Sequence, residues 1–135
     1  MVLTEKQINS DNFLSLDRST SNKINLTEVL IENPSSTFIT RANGDSLQGV
    51  GIFDQDILIV DRNSVPSHKD VVIVSLNNIT MCKILDLVGH QLLSSQKNIE
   101  PIYVSPDDAF WIDGVVIHSI RAHKAHTALP PPEVA

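Results

Sequence analysis

Apolar and polar positions divide this chain into short blocks that suit strands better than helices. Thr37-Phe38-Ile39-Thr40-Arg41 alternates along its length, which is the period of a half-buried strand. Gly51 to Asp61 reads as an acidic turn feeding the apolar run Ile57-Leu58-Ile59-Val60, and Asp70 to Leu76 reads as the next strand. Ile79 to Leu85 is another, with one lysine, Lys83, inside an otherwise apolar segment. Gln91-Leu92-Leu93-Ser94, Ile102-Tyr103-Val104 and Gly114 to Arg121 complete the predicted strands. Arg62 to Lys69 reads as a loop. Asn77-Asn78 suits a tight hairpin, because asparagine tolerates left-handed angles, and that hairpin would set 70–76 antiparallel to 79–85.

One segment carries a helical signature. Asn25 can cap it, Glu28 follows three residues on as in a capping box, and Pro34 closes it. Leu26, Val29 and Leu30 are placed to pack on the sheet. Several short strands and one short helix predict a mainly β fold. Residues 1–23 are mostly polar, with Phe13, Leu14 and Leu16 as their apolar cluster. Such a segment buries too little surface to offset its ordering entropy, so it reads as an extended N-terminal arm. Residues 24–124 form the predicted β domain. Residues 125–135 contain Pro130-Pro131-Pro132, which resists helix and ladder pairing alike and predicts a disordered tail.

Composition narrows the picture. The 135 residues suffice for one domain with a real core. Aromatic residues make up only 4%, so aliphatic side chains must supply the packing. A net charge of −6 argues against a sequence-independent grip on nucleic acid; the basic cluster Arg121, His123 and Lys124 reads as a solvated strand end. The single cysteine, Cys82, excludes an intramolecular disulfide and suits a reducing cytoplasm. Alternation along the strand points Cys82 away from the face of Lys83, as a small buried hydrophobe. No apolar run approaches the ~20 residues of a membrane span, and the N-terminus lacks the pattern of a signal peptide. His123-x-x-His126 is the nearest thing to a metal spacing, and no metal or cofactor is assigned.

The candidate chemistry lies at Ala42-Asn43-Gly44-Asp45-Ser46-Leu47. Gly44 suits a sharp turn after the first strand, and Ser46 just beyond it is presented as a nucleophile. The backbone N–H groups of Asp45 and Ser46 lie nearby as oxyanion donors. A serine hydroxyl needs an adjacent base, and a lysine kept among apolar neighbours can shed its proton and serve as one. Lys83, beside Met81, Ile84 and Leu85, is the candidate.

These blocks, in this order, resemble the LexA/UmuD family of Ser-Lys self-cleaving proteins, most closely its UmuD branch. The family pattern is a Gly-Asp-Ser-Met turn, a Gly-Ile-x-x-Gly-Asp-x-Leu-x-Val segment, a Gly-Asp-x-Val strand and then Thr-Val-Lys. Ser46 matches the nucleophile, and Lys83, 37 positions later, matches the base. Asp113-Gly114-Val115-Val116-Ile117-His118 looks like the closing strand of that branch. Leu47 replaces the usual Met with similar volume. Gln55 and Lys69 stand where glycines usually precede Asp56 and Asp70, which suggests turns that differ in detail.

The resemblance implies a curled, partly closed β-fold of the LexA and signal-peptidase kind, with the dyad in a cleft and a two-fold homodimer. It also implies an accessory subunit of an error-prone Y-family DNA polymerase in the SOS response, with RecA filaments promoting cleavage of the arm. No Ala-Gly or Cys-Gly dipeptide occurs in the chain, and counting back to where the bond would fall lands near Asp11. The chain is therefore expected to resemble the processed form. The alternative is the C-terminal half of a LexA-type or phage-type repressor, against which stands the lack of a helix-turn-helix pattern ahead of the core.

Overall fold

The computed structural model describes residues 25–124 and the backbone of Glu133–Val134. The predicted arm and most of the tail lie outside the described residues. The chain divides into two compact units, Met1–Glu32 and Asn33–Ala135. The described residues of the first contain helix α1 (Leu26–Leu30), whose cap Asn25 accepts from the Thr27 N–H at 3.0 Å. Its Glu28 lies in the first turn, where a carboxylate complements the helix dipole.

The second unit is one eight-stranded sheet. Its strands in chain order are β1 (Thr37–Ala42), β2 (Ile57–Asp61), β3 (Val71–Leu76), β4 (Ile79–Asp86), β5 (Gln91–Leu93), β6 (Ile102–Tyr103), β7 (Phe110–Ile120) and β8 (Glu133–Val134). Their spatial order is β6-β5-β4-β3-β7-β2-β1-β8. All neighbouring pairs are antiparallel except β1 with β8. The β3–β4 hairpin closes on Asn77 and Asn78, at φ 50° and 69°, as the Asn-Asn dipeptide predicts. The last predicted strand begins earlier than expected, at Phe110 rather than Gly114. The expectation of an unpaired tail fails at Glu133–Val134, which pairs with Arg41 and Ala42. The three prolines end before these two residues, so nothing local prevents a ladder there.

The sheet curls without closing. In a flat sheet β1 and β4, separated by β2, β7 and β3, would stand roughly 19 Å apart, four spacings of 4.7–4.9 Å. Instead Ala42 of β1 and Cys82 and Ile84 of β4 share one core cluster with Leu47, Ile52, Leu58, Val60 and Ile73. Two register shifts along β7, opposite Ile59/Val60 and Ile73/Val74, supply local bends of the kind β-bulges impose. The opposite face of β3, β4, β5 and β7 carries a second core of Val72, Val74, Leu76, Leu85, Leu92 and Val115. Burial on both faces explains why Ile57–Val60 and Val71–Val74 are continuous apolar runs instead of alternating ones.

Candidate functional site

The turn after β1 is built around two short-range constraints. Gly44 has φ 100°, a left-handed angle that costs a side-chain-bearing residue energy. Its N–H donates to Asp54 Oδ1 at 2.7 Å, and that bond holds the Asp54 carboxyl below its ordinary value. Ala42 then exchanges hydrogen bonds with the incoming strand, N–H to the Asp56 carbonyl and carbonyl to the Gln55 N–H, both at 2.8 Å. Leu47 drops into the inner core and is 4% exposed. Its apolar burial anchors the turn and leaves Ser46 at the rim.

A second loop, unforeseen in the sequence, clamps this turn. Ser95 donates to the Ser46 carbonyl through its backbone N–H at 2.8 Å and its hydroxyl at 3.0 Å. The same hydroxyl accepts from the Gly49 N–H at 2.8 Å. Gln96 Nε2 donates to the Asp45 carbonyl at 3.1 Å. The Asp45 carbonyl shares its peptide plane with the Ser46 N–H, so the Gln96 bond orients that candidate oxyanion donor, while the Ser95 bonds hold the next plane, which carries the Leu47 N–H. Ser94-Ser95-Gln96 carries no local signal for this role; only the curl of the sheet brings it to the turn.

Ser46 lines a cavity of about 10 Å³ with Ala42, Asn43, Gly44, Leu47, Ile52 and Cys82, room for a single water at most. The β4 residue at this cavity is Cys82. Successive side chains on a strand point to opposite faces: Cys82 and Ile84 belong to the inner core with Leu47, whereas Met81 and Leu85 pack in the outer one. Lys83 shares the parity of Met81 and Leu85 and stands opposite Val72, itself an outer-core residue. The fold therefore brings Ser46 to Cys82 and places Lys83 on the other face. A count of 37 positions along the chain does not register which face a strand residue takes. Cys82 is 2% exposed, and burial pushes its thiol up to about 12 from 9.0, with the Lys83 charge opposing.

Beneath the turn lies another unforeseen anchor. Asp56, 2% exposed, accepts from Arg121 Nε at 3.0 Å and Arg121 Nη2 at 3.2 Å, and from the Phe53 N–H at 2.9 Å. The guanidinium also stacks 3.7 Å from the Phe53 ring centroid. Arg121, read from sequence as part of a solvated strand end, is committed to this pair. Among the described residues no three His, Cys, Asp or Glu side chains converge as a metal site, and no helix is long and apolar enough to cross a membrane.

The curled β-sheet presents a glycine-turn serine beside its fourth strand. The Peptidase S24-like family profile matches residues 7–117, and the chain belongs to that family. It is 33% identical to the protein MucA of Salmonella typhimurium over 103 residues, 75% of this chain and 70% of MucA. It is 33% identical to the protein ImpA of Shigella flexneri over 105 residues, 77% of this chain and 68% of ImpA. The LexA repressor of Bordetella avium is 30% identical over 91 residues, which is 66% of this chain but 43% of the repressor.

Proposed function

We propose that this protein is a UmuD-like accessory subunit of the SOS response, which acts in the bacterial cytoplasm by binding a Y-family DNA polymerase as a homodimer. The observation that carries this reading is the extent of the matches. They cover 70% of MucA and 68% of ImpA, but 43% of a LexA repressor. The match to the repressor leaves more than half of the repressor uncovered, and the net charge of −6 offers no general attraction to a phosphate backbone. A binding role also suits a cleft in which the serine faces a buried thiol. Co-purification from cells expressing tagged Y-family polymerases tests the reading. Retention by at least one polymerase, lost in high salt or on mutation of one sheet face, is expected. Specific binding to a promoter palindrome, with no polymerase retained, would replace it with the repressor.

A further inference from the structure

The cavity beside Ser46 has a definite chemical requirement if the serine is to attack anything: a proton acceptor on β4, aimed at the inner face. Only every second residue of β4 can meet it. Positions 82 and 84 face inward, and of these it is Cys82 that lines the cavity with Ser46, while Ile84 packs in the same core without lining it. Lys83 lies on the face of Val72, Met81 and Leu85. It has β3 alongside, and β5 pairs with β4 from Ile84 onward, so its amine would have to cross the sheet to meet the serine.

We propose that position 82, not 83, is the general-base position of this cleft, and that Cys82 occupies it, leaving the Ser46 nucleophile held in its turn with no base among the described residues that line the cavity. A buried thiol that keeps its proton can give Ser46 packing but cannot accept its proton. The machinery that orients the serine is nevertheless intact: the Gly44 turn, the buried Leu47 and the Ser95 clamp. One substitution therefore separates an idle cleft from a reactive one. The inference deepens the accessory-subunit reading, but its test involves no polymerase, so each can fail without the other.

The probe is diisopropyl fluorophosphate, which needs no scissile bond in the chain. Ser46 Oγ bonds to phosphorus, fluoride leaves, and the hydroxyl proton passes to whichever base serves it. Adduct formation is followed by intact mass and peptide mapping of the full chain at pH ~7 and ~9.5. A positioned base is worth on the order of 10²–10⁴-fold. Wild type and Lys83→Ala are expected to label at the same slow rate. A tenfold or greater loss in Lys83→Ala would overturn the assignment, and this comparison needs no change in the core. Cys82→Lys is expected to label Ser46 at least tenfold faster than wild type, with the gain abolished by Ser46→Ala in the same chain. A Cys82→Lys protein with unchanged circular dichroism and no gain would equally overturn it.

Discussion

Ser95 grips the Ser46 carbonyl with two donors, its own N–H at 2.8 Å and its hydroxyl at 3.0 Å, although the two residues are 49 positions apart. The hydroxyl also accepts from Gly49, so a single oxygen ties both ends of the turn. Replacing Ser95 with alanine removes two of these bonds and keeps the backbone one. The expected cost is about 1–2 kcal/mol of stability, with faster hydrogen exchange at the Gly49 amide. Unchanged exchange there would mean that the hydroxyl does not hold the turn. Gly49→Ala should be worse than Ser95→Ala, because a Cβ at that position would meet Ser95 Cβ at 2.7 Å.

The Asp56–Arg121 pair is expected to outweigh any other ion pair among the described residues. Arg121→Ala leaves Asp56 buried with the Phe53 N–H as its remaining side-chain partner, at a cost of about 2–3 kcal/mol once the exposure of the guanidinium is discounted. Arg121→Lys should recover less than half, since an ammonium cannot reproduce the two-pronged contact or the stacking on Phe53. Urea unfolding of the three proteins decides this, and full recovery by lysine would contradict the geometry.

At the two positions where the family pattern has glycine, this chain places side chains in left-handed turns. Gln55 and Lys69 adopt φ 71° and 75° themselves, keeping a left-handed turn at the cost of local strain. Gln55→Gly and Lys69→Gly are each expected to stabilise the fold by up to ~1 kcal/mol, the relief of the positive angle exceeding the added freedom of the unfolded chain. Thermal midpoints measure it. A lower midpoint in both would show that those side chains contribute more than the angle costs.

Stability should fall with alkali through Cys82. In the unfolded chain the thiol ionises from its ordinary value of 9.0, whereas in the fold it holds its proton to about 12. Between those values the folded state binds the extra proton, so raising pH favours unfolding by up to ~1.4 kcal/mol per unit. Cys82→Ala lacks this slope. Its stability deficit relative to wild type should therefore narrow between pH ~9 and ~10.5, and a constant deficit would mean that the thiol ionises equally in both states.

The strand blocks, the Asn77-Asn78 hairpin and the serine turn were all legible in the sequence, because each is decided by neighbours a few residues apart. Alternation also told that Cys82 and Lys83 take opposite sides of β4. What the sequence could not say is which of those two faces looks at Ser46. That depends on the direction in which the sheet curls, set by the bulges on β7 and by the packing of Leu47 and Ala42 against β4. The Ser95 clamp and the Asp56–Arg121 pair arise the same way, from residues 46 to 65 positions apart. Local chemistry fixed the elements; the curl decided which side chains meet.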